Sequence, residues 1–161
     1  MHEAGHFYVA YTYRPRRAIS ICISQQAQMD PQTGQDYMSA GHVVTFEPDY
    51  SLPKAQVSIR AAGLAAESLV YGQSYEDLMN DPNVQFRIKT DTDNAKCDLQ
   101  KAGLWPFSED EFIQFYWRTG FSEALNMMRE SVETLHSIAA YCLANQGRDI
   151  PKSEIVAACC L

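Results

Sequence analysis

Between Pro53 and Gly72 the chain holds one long helix-compatible run, and five of the six residues from Ala61 to Ala66 are alanine or glycine. Proline suits the first turn of a helix, where its missing N–H removes no bond. Glycine suits the left-handed residue that stops one. Val57, Ala61, Leu64, Ala65 and Leu69 fall on one face, so the segment predicts a helix packed on at least that side. Ala62, Gly63 and Ala66 carry almost no side chain and let a second helix approach closely.

The remaining pattern fits one domain over residues 1–161, a length that can bury a real core. Residues 2–13 predict a helix ended by Pro15. From Ala18 the chain alternates, with Ile19, Ile21 and Ile23 on one side, which predicts a half-buried strand over 18–23. The polar residues 24–39, with Asp30-Pro31 and Thr33-Gly34, predict a loop or long hairpin connection, and 42–46 a second strand. Residues 72–89 predict irregular structure, followed by a helix from about Thr90 with Ala95, Leu99 and Ala102 on one side. Ser108 and Glu111 form a capping-box pattern for a short helix through Trp117. Residues 122–145 predict one long helix, carrying Leu125, Met128, Val132, Leu135, Ile138, Ala139 and Cys142 at helical spacing and stopped by Gly147. Ser153 predicts the cap of a last short turn. The fold class expected is mostly helical α+β, with a small sheet near the N-terminus and a helical C-terminal part.

Several function classes are disfavoured by charge and composition. The formal net charge is −7, which repels nucleic acid and anionic membrane. Arg14, Arg16 and Arg17 make one local basic group and read as a solvated turn. No apolar run approaches the roughly 20 residues of a membrane span. The N-terminus lacks the apolar stretch of a secretory signal, because His2, Glu3 and His6 interrupt it. Five cysteines, an odd number without CxxC spacing, point to reduced thiols and a cytoplasmic setting.

Residues 2–6 read His-Glu-Ala-Gly-His, the pattern H-E-x-x-H. On a helix, residues four apart lie on one face one turn apart, so both imidazoles can reach one ion. Neutral imidazole suits Zn²⁺. Glu3, beside the first histidine, can act as the base for a water activated by the ion. With four histidines in the chain, shuffling gives the pattern roughly once in two hundred sequences, so the pentapeptide alone does not decide the matter. The competing reading is a helix with two incidental histidines. His42 and His136 have no such spacing and read as structural or surface residues.

A catalytic zinc site takes a third protein ligand and keeps one open position. The acidic candidates are Glu67, Asp91, Asp93 and Asp98. Glu67 lies on or near the packing surface of the small-residue helix, where a carboxylate calls for a metal or a hydrogen-bonded partner. Asp91 shares a face with Ala95, Leu99 and Ala102, while Asp93 faces elsewhere and Asp98 lies beside Leu99. Plain N-capping accounts for Asp91 and Asp93 equally well at this point.

These residues resemble the proteolytic domain of FtsH-type ATP-dependent zinc metalloproteases over nearly the whole chain. The resemblance rests on His2-Glu3-Ala4-Gly5-His6, the isoleucine strand after it, and residues 62–72, which are similar to the family's A-G-R-A-A-E-E-L-V-F-G. The stretch 131–155 is similar to its closing segment. It implies a zinc metalloendopeptidase acting on peptides or unfolded proteins, with Glu3 as catalytic base. It implies metal ligation by His2, His6 and Asp91, with Asp93 as the runner-up register, since Thr90-Asp91-Thr92-Asp93-Asn94-Ala95 matches the family's S/N-D-x-x-x-A. By the same comparison Glu67 is a structural residue or a support for a ligand. The chain departs from the family in carrying Leu64 for the motif's arginine, in residues 72–89, and in lacking a P-loop. ATP coupling would therefore require a separate ATPase, and the family's rings, built largely through ATPase modules, are not implied, although an oligomer is compatible. Met1 directly precedes His2, which predicts either a truncated form or a fraying terminus with a weak hold on metal. The alternative is a non-catalytic peptide-binding or regulatory module on the same fold. A purely structural zinc domain would need a fourth ligand, and no cysteine is placed to supply it.

Overall fold

A computed structural model describes residues 1–16, 18–29, 36–45, 52–105 and 107–161. In chain order the elements are α1 (His2–Tyr13), β1 (Ala18–Met29), β2 (Asp36–Thr45), α2 (Pro53–Tyr71), α3 (Tyr75–Asn80), α4 (Pro82–Lys101) and α5 (Glu109–Phe115). A π-helical segment (Tyr116–Phe121) runs into α6 (Ser122–Met128), followed by α7 (Val132–Ala144), β3 (Asp149–Pro151) and α8 (Lys152–Cys159). The fold is mostly helical α+β, as the sequence predicts. No described helix is long and apolar enough to cross a membrane.

α2 is the centre of the molecule. It begins at Pro53 and stops at Gly72, whose φ of 65° is the left-handed conformation glycine adopts most easily. From Ala55 to Glu67 every residue except Arg60 is buried, on all sides rather than one, because α1, α4, the π segment and α6 all pack against it. The small residues make this possible. A Cβ on Gly5 of α1 would collide with the Ala62 carbonyl oxygen and lie 2.6 Å from Ala66 Cβ. A Cβ on Gly120 would lie 2.6 Å from Val57 Cγ1. Each glycine marks a backbone that touches α2 directly.

The sheet is antiparallel, in the order β2-β1-β3. Ile21 sits at its middle, fully buried and facing Ile150 of β3 in register. β1 is longer than predicted: the glutamine-rich residues 25–29 continue the ladder against 36–40 across an irregularity between Cys22 and Gln25. Pairing with a neighbour, rather than local alternation, holds this stretch extended. The predicted connection at 30–35, the last residue of the predicted strand (Phe46) and Arg17 lie outside the described residues. His42 lies in β2 opposite Cys22, and the reading of its side chain also falls outside the description.

Three helical expectations are corrected. Residues 72–89 are not irregular: Ser74 caps α3 in a reciprocal box with Asp77, and α4 starts at Pro82, eight residues before Thr90. The predicted single helix over 122–145 is interrupted at 129–131. There Ser131 leaves the helical region and its hydroxyl meets the Tyr8 hydroxyl of α1 at 2.6 Å. Ser153 caps nothing; it lies inside α8, which follows β3, a strand too short for its pattern to be read. The capping box at Ser108 and Glu111 is present, and Gly147 takes a φ of 88° at the end of the α7 region.

The Gly5 contact yields a stability prediction. Gly5→Ala should destabilise the chain by about 1–3 kcal/mol in urea unfolding, since the clash is with backbone that cannot rotate away. An unchanged midpoint would show that α1 and α2 are not in backbone contact there.

Candidate metal centre

α1, α2 and α4 each contribute to one cluster. α1 offers His2 and His6 from one face, one turn apart, as their spacing dictates. α4 offers Asp91, which is 7% exposed and lies on the buried stripe Val84, Ile88, Asp91, Ala95 and Leu99. A carboxylate occupies a place where an apolar residue belongs. Among the described residues, one ligand atom from each of His2, His6 and Asp91 lies within 4.8 Å of the others. His2 Nε2 stands 3.1 Å from His6 Nε2 and 3.5 Å from Asp91 Oδ2; His6 Nε2 is 3.8 Å from Asp91 Oδ1.

Asp93 is exposed and outside the cluster, and both aspartates lie well inside α4. N-capping therefore explains neither. Asp98 is buried but belongs to Arg60, whose Nε donates to Asp98 Oδ2 at 3.0 Å. His136 is exposed on α7, a surface residue as read. His2 is not on a loose end. Its ring is largely enclosed, and the Gly5 amide donates to the Met1 carbonyl in the first turn of α1.

Orientation of the rings follows from their second nitrogens. His6 Nδ1 lies 2.6 Å from the Ile59 carbonyl oxygen, which can only accept, so Nδ1 carries the hydrogen and a neutral His6 presents a lone pair at Nε2. His2 Nδ1 lies 3.6 Å from Glu67 Oε2, at ion-pair range but without a hydrogen bond. Glu67 Oε1 in turn accepts from Arg87 Nη1 at 2.6 Å. Glu67 thus faces a histidine and an arginine.

Gly63 seats both rings. A Cβ there would lie 2.5 Å from His2 Nε2 and 2.6 Å from His6 Nε2, so any side chain would occupy the space where the two nitrogens converge. The sequence shows Gly63 as a helix-packing residue; its place under both imidazoles emerges only when α1 is laid on α2. Arg60 was also missed. It is the one residue not buried in the run from Ala55 to Glu67, one turn before Gly63, and that isolated charge is the signal that could have marked it.

Protonation follows from burial and neighbours. Burial, then the charge of His2, pushes His6 down to about 3, so His6 is neutral over the whole useful pH range. Burial also lowers His2, but the facing carboxylates of Glu67, Asp91 and Glu3 outweigh it and leave His2 above its ordinary value. Glu67, raised by burial, is brought below the usual carboxylate range by His2 and Arg87. Asp91 goes the other way: burial pushes it up to about 7 against the pull of His2.

Two neutral imidazoles and one carboxylate are a donor set for a borderline cation such as zinc. Tetrahedral ligands at 2.0–2.1 Å from an ion would stand about 3.3–3.4 Å apart, close to the nitrogen–nitrogen and His2–Asp91 separations. Asp91 Oδ2 and His2 Nδ1 are buried without hydrogen-bond partners, and an orphaned buried oxygen is costly unless something supplies a positive charge or a donor. The residues fit the ion. Glu3, one residue after His2, lines a cavity of about 180 Å³ with His2, Ile21, Glu67, Arg87 and Cys142, and its charge reaches both His2 and Asp91.

Two outcomes follow. If the cluster holds zinc, Gly63→Ala should leave helical content intact and weaken that binding by about 10–100-fold in a chelator competition, an effect of the size seen when ligand support is lost. Equal zinc affinity would remove Gly63 from the seat. The second concerns pH. Folded Asp91 keeps its proton up to about 7 while the unfolded group releases it near 3.8, so folding takes up a proton between these values and metal-free stability falls as pH rises. His6 acts oppositely, since its folded value near 3 makes stability fall as pH drops below 6.5. Asp91→Asn removes the first effect and leaves that of His6 in place. The metal-free variant should be more stable than the parent at pH 8, by on the order of 2–4 kcal/mol in denaturant unfolding, and a less stable variant would contradict this account. No protein-family model and no curated protein matches this sequence.

Proposed function

We propose that the chain is a zinc-dependent metallopeptidase that hydrolyses peptide bonds in flexible or unfolded segments, with His2, His6 and Asp91 as metal ligands and Glu3 as general base. The observation that carries the reading is the meeting of three ligand atoms from α1 and α4 within 4.8 Å, with a glutamate next to the first of them on the wall of a cavity. A bound zinc ion would supply Lewis acidity to a substrate carbonyl and a lowered pKa to water.

The chain's own residues do the rest. Ile59 holds the His6 ring through Nδ1, and Glu67 faces the Nδ1 of His2, so both Nε2 atoms stay turned to the same point. Asp91 brings the negative charge that two neutral imidazoles lack. Glu3 takes the proton of the attacking water on its carboxylate and passes it to the amide nitrogen as the C–N bond breaks. β2 pairs on one side with β1 and stands at the edge of the sheet among the described residues, so an extended peptide can add to its outer side. Main-chain pairing of that kind gives weak sequence preference. A separate ATPase would be the partner that delivers folded proteins.

Glu3→Gln should retain zinc after dialysis and lose cleavage of a fluorogenic flexible peptide by about 10²–10⁴-fold, the usual contribution of a positioned base. His6→Ala should lose both metal and cleavage. Retained cleavage in Glu3→Gln removes Glu3 from its role. Zinc bound by the unmodified chain without any cleavage favours the alternative, a peptide-binding module.

A further inference from the structure

We infer that Arg60 receives a carboxylate of the peptide substrate, borne on a side chain or at the C-terminus, beside the metal centre. This rests on the peptidase reading and adds to it a preference that zinc and Glu3 do not explain.

Arg60 stands between two residues that build the site. Its predecessor Ile59 holds His6 by the backbone carbonyl, and Gly63, one turn later, seats both rings. Tyr116, buried and within the electrostatic reach of Asp91, lies with its hydroxyl 3.4 Å from the Arg60 carbonyl. The charge of Arg60 also reaches His6 and Asp91.

A helix tether would be the plain explanation of Arg60, and Arg87, at the other end of the same helices, gives the comparison. Arg87 spends Nη1, one half of its terminal Nη pair, on Glu67. Arg60 is tied instead through Nε, which leaves its terminal pair whole. A guanidinium has five N–H donors in a planar fork, and only Nε–H of Arg60 is engaged, by an Asp98 that is 3% exposed. The Arg60 side chain itself is 32% exposed, and its Nη groups make no hydrogen bond within the protein among the described residues. Asp98 therefore holds the fork at Nε and leaves the Nη edge unspent. Planar bidentate recognition of carboxylate is what that edge does best.

Charge supports the assignment. The chain carries −7 overall, so the net field does not favour an acidic substrate group, and a local cation offsets it. Of Arg60 and Arg87, Arg60 is the one whose two Nη groups make no hydrogen bond among the described residues.

The test uses zinc-loaded Glu3→Gln chain, which binds without turnover, and three labelled peptides of one flexible sequence. The first is neutral and amidated, the second neutral with a free C-terminus, the third amidated with one internal glutamate. A charged hydrogen bond of this kind should make at least one acidic peptide bind about tenfold tighter than the first, and which one does so identifies the source of the carboxylate. Arg60→Gln combined with Asp98→Asn removes the cation without leaving a buried unpaired carboxylate, and the tenfold gap should vanish while the neutral peptide binds as before. Arg60→Lys, which keeps the charge on Asp98 but loses the fork, should shrink the gap severalfold and serves if the double variant is unfolded. Equal binding of all three peptides by the parent, or a gap undiminished in the variants, overturns the assignment. The peptidase reading fails separately, if the unmodified chain shows no zinc-dependent cleavage.

Discussion

Where most helical residues would present a Cβ, α2 presents only the Cα hydrogens of Gly63, and two imidazole rings occupy the space. That one absence sets the distance between α1 and α2 at the site. It is matched one turn along by Gly5 of α1, whose own missing side chain lets the Ala62 carbonyl approach. The third helix is fixed by charge. α4 runs antiparallel to α2, with Arg60 on Asp98 at one end and Glu67 on Arg87 at the other. Buried or half-buried ion pairs contribute little net stability, because desolvation offsets most of the attraction, but a misplaced partner is costly. Two such pairs, reversed in sign along α2, admit one register of α4. In that register Asp91 points between the pairs, at the rings.

The cluster so assembled is electrostatically unfinished. Asp91 is buried with an unpartnered oxygen and holds a proton up to about 7; His6 stays neutral to about 3; His2 is pulled toward protonation by three carboxylates. The Asp91 shift is that of a buried carboxyl short of positive charge. A divalent cation, in the reading proposed here, would ionise that carboxyl and hold His2 neutral, as His6 already is. Its binding would then couple α1 to α4 through the ion, so metal affinity and folding would be linked.

Much of this architecture was legible in the residue pattern. α1 and α2 begin and end where their breakers place them, because Pro15, Pro53 and Gly72 act locally. Asp91 was separable from Asp93 by its face. What escaped detection depended on distant partners. Residues 25–29 are extended only because 36–40 pair with them; Ser131 breaks a helix because Tyr8 waits on another. The start of α4 was missed for a local reason: Pro82, Asn83, Gln85 and Arg87 interrupt the apolar Val84, Phe86 and Ile88, and only the inclusion of Asp91 in an otherwise apolar stripe reveals a helix that continues through it. A carboxylate breaking an apolar stripe is both a poor helix signal and a good site signal.

Two glutamates lie near His2, and their surroundings assign them different work in the proposed reaction. Glu67 comes from the most buried helix, and each of its oxygens is committed, one to Arg87 and one toward His2, with its carboxyl held below the usual range. A group so engaged can orient a ring but cannot easily take a proton and return it. Glu3 occupies the first turn of α1, on the wall of the cavity, and is only partly buried. It can meet water there. A proton shuttle must exchange its proton with a reacting molecule, whereas a supporting group must not, and the depth of the two carboxylates separates them on that ground alone.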